Sequence, residues 1–376
     1  MTIAPQSLGL NLHRVGARHP ALAMNDNSPY LDGWRGLAIL CLLIGHFFPV
    51  PGINLGTVGV ALFFVLSGLL MAKVLFVQNM DIKTFYRRRV SRVFPSIAVY
   101  LVVVTMFFAM SGNELAYGEL FAAATFTNNY FVSADWTMPF GHIWSLSVEE
   151  HSYVILTLAA YWSRRHRHDG MGALRLILSL ILLAIACYSI LSPDGEEPWH
   201  LRTEVASFGI FFSGFLFLGA MYGKCSFSSA WLAPLALGAG ILAHWWNVPD
   251  QVRVVLGWGA LAVSINAMTA APRWLSMILE SSFMRRLGLY SFSLYLWQQP
   301  FYQWIHERDV SPIVGLVLSL AVGGVAYYLV ENPARIYLNR HWAKKPVTAV
   351  DVREVRSGHG IDGSAGAEGV QPSSAR

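Results

Sequence analysis

The sequence predicts an all-α fold: a polytopic membrane helix bundle of about ten transmembrane helices with both termini cytoplasmic. Three observations lead there. Of 376 residues, 55% are hydrophobic and only 13% charged, about half the charged share of an ordinary soluble domain. Mean hydropathy is +0.45, and the 13 Trp, 15 Tyr and 22 Phe are spread along the whole chain, as expected when lipid is the main solvent. Finally, apolar runs of helical length recur, with basic clusters in alternate gaps between them.

Residues 1–30 hold Arg14 and Arg18 but no apolar run, so a cytoplasmic segment without a cleavable signal is expected. Apolar runs then fall at about 34–50, 57–77, 93–111, 142–162, 174–192, 203–222, 230–247, 253–270, 287–306 and 312–330. Lys and Arg collect in cytoplasmic loops and so test this count. The even-numbered junctions carry Lys83, Arg87, Arg88, Arg89 and Arg92; Arg164, Arg165, Arg167 and Arg175; Lys224; Arg273, Arg285 and Arg286; and Arg335, Arg340, Lys344 and Lys345. The opposite loops are poor in them. The stretch from Ser111 to Gly141 has neither Lys nor Arg but carries Glu114, Glu119 and Asp135, and the loop with Asp194, Glu196 and Glu197 has only Arg202. Residues 346–376 turn to Gly, Ser, Ala and scattered charge, a composition that buries too little apolar area to offset ordering entropy. A disordered cytoplasmic tail is expected there, leaving 31–345 as the membrane domain.

The net charge of +5 and pI near 9.1 do not point to nucleic acid, because the basic residues lie in short clusters between apolar runs. Cys41, Cys187 and Cys225 are odd in number and lie in or beside apolar runs, which offers neither a disulfide framework nor metal-ligand spacing. No metal site is expected. No internal repeat of the kind found in duplicated transporters is visible.

Polar residues inside apolar runs are the functional candidates, because lipid makes them costly. Arg35 and His46 are eleven residues apart, within roughly 20° on one helix face and about 16 Å along its axis. This puts Arg35 at the inner edge and His46 near mid-membrane, unless His46 is only a packing residue. Asp32, one turn before Arg35, is placed to pair with it. Ser67 lies about 15 Å into the second run, as channel lining or as a small residue allowing close helix approach. Lys73 is within reach of the inner surface. In the fourth run His142, Ser145 and Glu149 share a face and Glu150 points about 100° away. Two adjacent carboxylates at low dielectric call for a cation or a retained proton, whether in a reactive site or in a structural ion pair. The ninth run brings Gln298 and Gln299 to mid-membrane, so His46, Ser67, one glutamate and Gln298 are expected at similar depth. At the inner surface, Arg88 or Arg89 with Arg92 has helical spacing suited to phosphate oxygens, and topology alone also demands basic residues there.

Taken in order, Leu31-Asp32-Gly33-Trp34-Arg35-Gly36 with His46, Phe63-Phe64-Val65-Leu66-Ser67-Gly68, the Arg-rich segment from Phe85 to Pro95, Trp144-Ser145-Leu146-Ser147-Val148-Glu149-Glu150, Ser291-Phe292-Ser293-Leu294-Tyr295-Leu296-Trp297 and Glu331-Asn332-Pro333-Ala334-Arg335 resemble the acyltransferase 3 family of integral membrane O-acyltransferases. The resemblance runs from about residue 30 to 340. It implies a membrane acyltransferase domain at 31–345 in a bacterial cytoplasmic (inner) membrane, with no bound cofactor. The donor substrate would be cytoplasmic acetyl-CoA or another acyl-CoA. The acceptor would be a hydroxyl of a cell-surface or exported glycan, or alternatively a glycolipid or small-molecule natural product. Two positions depart from the family pattern: Gln298, where a His is frequent, and His151, where a Gln is frequent. Gln298 cannot serve as a base. The extra hydrolase-like domain of some relatives is not expected after residue 345.

On this reading Arg35, Arg88, Arg89 and Arg92 hold the acyl-CoA phosphates, and His46 acts as general base or acyl carrier. Glu149 or Glu150 orients its imidazole, while Asp32, Ser67, His142, Ser145 and Gln298 support the site or line the channel. Asn128, Tyr130 and Trp136 in the outer loop suit sugar binding. The rivals are a proton-coupled transporter using the same ionisable groups and a purely structural membrane scaffold.

Overall fold

The computed structural model describes residues 28–131, 137–191 and 198–342. The expectations for residues 1–27, Asp135, Trp136, the acidic loop at 194–197, Lys344, Lys345 and the tail at 346–376 lie outside those residues. Among the described residues the chain is helical, with two isolated bridges, Val50 to Ile53 and Ile53 to Trp245.

The longer helices start where the sequence supplies a signal. Helix α1, Pro29–Phe47, opens on a proline whose missing N–H costs nothing there. Helix α2, Leu55–Ala72, is capped by Asn54, which accepts from the Thr57 N–H at 3.1 Å, and runs on as a π-turn, Lys73–Val77. Helix α3, Ile82–Met110, is capped by Asp81, which accepts from the Thr84 N–H at 3.1 Å. Two short helices, α4 (Tyr117–Ala124) and α5 (Asn128–Phe131), precede α6 (Trp144–His166) and α7 (Met171–Leu191). Then come α8 (Thr203–Met221), α9 (Leu232–Leu242), α10 (250–266) and α11 (Arg273–Leu279). Helices α12 (Ser282–Arg308) and α13 (Pro312–Trp342) complete the bundle.

Five helices, α2, α3, α7, α8 and α13, are long and apolar enough to cross a bilayer, which makes this an all-α polytopic membrane bundle. Their burial sorts them. The apolar windows of α8 and α2 are 67% and 56% buried, against 33% for α3, 28% for α13 and 22% for α7, so α2 and α8 form the centre. The outer helices turn Phe107, Met110, Leu183, Leu191 and Leu329 outward, an apolar surface that needs lipid rather than water.

Three elements differ from expectation. Helix α3 begins eleven residues before the apolar run at 93, because Asp81 caps it and Arg is a good helix former; the arginine segment is its first three turns. Residues 137–143 fold into the bundle, with Phe140 and Ile143 fully buried and the Asn128 amide donating to the Phe140 carbonyl at 2.9 Å. That sinks the start of α6 and everything on it. The run at 230–247 yields only the eleven-residue α9, about 16 Å long. The Asn54 N–H bonds the His244 carbonyl (3.1 Å) and the Trp246 N–H bonds the Gly52 carbonyl (2.9 Å), which ties residues 244–246 to the turn after α1.

One end of the bundle collects the starts of α1, α3 and α12 and the ends of α6, α8 and α13, with most of the arginines. At this basic end Arg164 bonds the carbonyls of Leu75 and Met80, and the Lys224 ammonium donates to Asp169 at 2.9 Å, which holds that carboxyl below its ordinary range. At the opposite end Asp250 pairs with His200 (2.9 Å) and Arg253 (2.6 Å). Burial pushes the Asp250 carboxyl up, but the hydrogen bond and charges of these partners outweigh it and hold it below its usual range. Helices α1 and α12 run parallel in backbone contact: a Cβ on Gly288 would lie 1.9 Å from the Asp32 carbonyl oxygen, and one on Gly36 2.1 Å from that of Met284. Small residues are what permit that approach.

Candidate functional site

The polar residues expected at one depth, half-buried except for the buried Gln298, form two hydrogen-bonded sets joined by a tyrosine. The first set lies toward the basic end. Arg89, on the third turn of α3, donates through Nε to Glu150 (2.8 Å) and through Nη2 to Glu149 (3.2 Å), so one guanidinium serves both carboxylates. It also stacks 3.7 Å above the Tyr153 ring, one turn along α6 from Glu149. Ser67 donates to the other Glu149 oxygen at 2.5 Å. All three charged side chains are about 15% exposed, where a carboxylate pair requires such a partner.

The second set lies toward the opposite end. His46, in the last turn of α1, bonds through Nδ1 to Gln298 Oε1 at 2.7 Å and stacks on Tyr302 with ring centroids 4.5 Å apart. The Gln298 amide nitrogen is directed to Gln299 Oε1 at 3.2 Å. That assigns Oε1 to His46, and an amide oxygen only accepts. The tautomer that suits this acceptor has its hydrogen on Nδ1 and presents Nε2 as a lone pair. A Cβ on Gly56 would sit 3.3 Å from Nε2, so glycine keeps that nitrogen uncrowded by the start of α2.

Between the sets, the Tyr295 hydroxyl meets Ser145 Oγ at 2.6 Å and donates to the His142 carbonyl. Ser145 is one turn from Glu149 on α6, and Tyr295 one turn from Gln298 on α12. The two sets thus stand about 10 Å apart along the bundle axis. The His142 ring, packed against Tyr100 and Tyr295, has no hydrogen-bond partner at either nitrogen among the described residues.

A cavity of about 800 Å³, counting its open mouth, runs from Arg35, Arg89 and Arg92 past Ser67 and Glu149 to a far wall of Val60, Phe63, Ser145 and Tyr295. His46 lies beyond that wall. The four arginines differ. Arg35 pairs with Asp32 at 2.8 Å; Arg89 holds both glutamates; Arg92 lines the cavity with Nε 3.9 Å from Glu331; and Arg88 is exposed and lines no part of it. The glutamates thus contact Arg89 and Ser67, and His46 takes its orientation from Gln298. The reason is the sunken start of α6, which carries Glu149 to Arg89 and into the cavity that Arg35 also lines. In the outer segment, Asn128 is fully buried and bonded to backbone, while Tyr130 donates to Glu204 at 3.0 Å. Tyr153 and Tyr302 belong to the site without having been named, and Ser293, Tyr295 and Glu331 belong to it having been named only as motif residues without a role. Glu331 carried a signal, a carboxylate ending an apolar run. No group of three or more His, Cys, Asp or Glu suited to a metal occurs among the described residues.

Fold and site define a multi-pass bundle with a basic cavity leading toward a half-buried imidazole. A family model described as an acyltransferase domain matches residues 28–330, and the chain belongs to this acyltransferase 3 family: it is a membrane acyltransferase, moving groups other than aminoacyl groups. It is 26% identical over 344 residues to BcsY of Komagataeibacter xylinus, provisionally named a membrane-bound transacylase, covering 82% of this chain and 83% of that one. Identity to the O-acetyltransferase OatA of Staphylococcus aureus (strain NCTC 8325 / PS 47) is 24% over 358 residues, 82% of this chain and 57% of the relative. For the peptidoglycan O-acetyltransferase OatA of Listeria monocytogenes it is 29% over 189 residues, 45% of this chain and 30% of the relative. The chain therefore spans most of the first relative but only part of the other two. No solved structure matches it.

Proposed function

We propose that this chain is a cytoplasmic-membrane O-acetyltransferase that moves an acetyl or other short acyl group from cytoplasmic acyl-CoA to a hydroxyl of a cell-surface or exported glycan. The observation that carries this reading is the basic cavity pointing toward, and stopping short of, an imidazole that Gln298 orients through Nδ1. The glycan acceptor is supported by the names of the two OatA relatives. Ten passes through residues 31–345, with the basic end and both termini in the cytoplasm, are the reading that the Lys and Arg bias favours. The segments at 1–30 and 346–376 would flank the membrane domain in the cytoplasm.

In this mechanism Arg35 and Arg92 attract the donor phosphates at the cavity mouth. Arg89 fixes the two glutamates and, through Glu149, Ser67. The pantetheine arm carries the thioester along α2 to the wall at Tyr295, which must swing aside for the thioester to reach His46. The acceptor hydroxyl arrives from the other side. His46 Nε2 takes its proton, the oxygen bonds the thioester carbon, and the carbon–sulfur bond breaks. The thiolate leaves and receives the proton from the imidazolium, which Gln298 holds in place through Nδ1–H. Gln298 does for His46 what a carboxylate does in a catalytic triad, without the negative charge.

The test is transfer of label from acetyl-CoA in membranes carrying wild type or His46→Ala at equal protein levels, counted in lipid and polysaccharide fractions. Labelling by wild type and loss of at least a hundredfold in the variant are expected, within the range for a general base. Equal labelling by both overturns the role of His46.

A further inference from the structure

Glu331 is 1% exposed, an unfavourable place for a carboxylate. It closes a π-turn, Tyr327–Glu331, within α13, and such turns re-aim a side chain relative to the helix before it. Its Oε2 accepts from the Ser293 hydroxyl at 2.6 Å, and its Oε1 faces Arg92 Nε at 3.9 Å. Arg92 lines the cavity mouth beside Arg35 and Arg89, but those two are engaged by Asp32 and by the glutamate pair. Among the described residues no hydrogen bond takes up either terminal nitrogen of Arg92. Glu331 comes nearest to it at Nε, in an ion pair longer than a hydrogen bond, so its carboxylate takes up neither Nη1 nor Nη2. A fork with both nitrogens open is the geometry that grips a phosphate through two parallel hydrogen bonds.

We infer that Glu331, locked by Ser293, is a positioning residue that holds Arg92 by its Nε so that its fork faces the phosphates of the acyl donor. This rests on the acyl-CoA reading above. The repulsion among three clustered guanidiniums would otherwise drive Arg92 outward, and Glu331 sets the angle at which it stays.

The experiment measures coenzyme A binding to the purified full chain in lipid nanodiscs, over a range of salt, for wild type, Arg92→Gln, Glu331→Gln, Glu331→Asp, Ser293→Ala and the Arg92→Gln, Glu331→Gln double variant. Glu331→Gln is expected to raise Kd about tenfold and to flatten its salt dependence as Arg92→Gln does, since both remove one phosphate contact. The double variant should bind no worse than Arg92→Gln alone, and Glu331→Asp should recover part of the loss. Additive losses in the double variant, an unchanged salt slope, or a wild type that does not bind coenzyme A would overturn the inference. If Glu331→Gln does not accumulate, Ser293→Ala decides, with a Kd raised about threefold in support and an unchanged Kd against. A wild type that binds coenzyme A but transfers neither an acetyl nor another short acyl group would overturn the proposed function and leave this assignment standing.

Discussion

At the scale of the residue, one guanidinium sets the logic of the site. Arg89 answers two adjacent carboxylates, and removing it leaves both buried beside each other. Arg89→Gln is expected to cost about 3–5 kcal/mol of stability, the usual penalty for breaking a buried pair from one side, read as a lowered Tm in detergent. Arg89→Gln with Glu150→Gln should regain part of that loss, because one surplus charge goes with the cation. A double variant as unstable as the single would contradict the pairing. The sequence made Glu149, Glu150, His46 and the arginines stand out because each is expensive in lipid. It did not reveal which cation meets which anion. Arg89 and Glu150 are 61 positions apart and His46 and Gln298 are 252 apart, and such pairings follow from helix order and register rather than from local spacing. The expected link from His46 to a glutamate failed to appear for that reason.

At the scale of the element, helix α1 carries Asp32, Arg35 and His46 on a single rod, and its backbone contact with α12 decides where all three stand. Gly36→Leu would drive a side chain into the Met284 carbonyl, so a destabilisation of about 1–3 kcal/mol is expected, with loss of acyl transfer in the protein that remains. Gly324→Ala is the control, since a Cβ there meets nothing within 4 Å. If the two variants behave alike in Tm and transfer, α1 is not positioned by this contact. Helix existence was legible wherever an apolar run had helical length, and every predicted run contains a helix. Boundaries were less so. The start of α3 was hidden because its first three turns are basic, and the sunken start of α6 because hydropathy does not register the segment 137–143 folding back into the bundle. The shortness of α9 depends on backbone bonds to residues 52–54, which no window of 230–247 contains.

At the scale of the whole molecule, the bundle has two chemically different ends with a wall between the basic cavity and His46. The alternation of Lys and Arg made the basic end readable from sequence, whereas the wall is visible only in three dimensions, being assembled from Val60, Phe63, Ser145 and Tyr295 on three helices. On the proposed path, a donor entering at one end and an acceptor at the other would make the enzyme sided. The most direct measurement is therefore acetyl transfer in sealed membrane vesicles of known orientation, with labelled acetyl-CoA supplied only to the outside. Inside-out vesicles should label the enclosed acceptor, while right-side-out vesicles should label nothing until they are opened. Equal labelling in both orientations would contradict a path that runs from the basic cavity to His46.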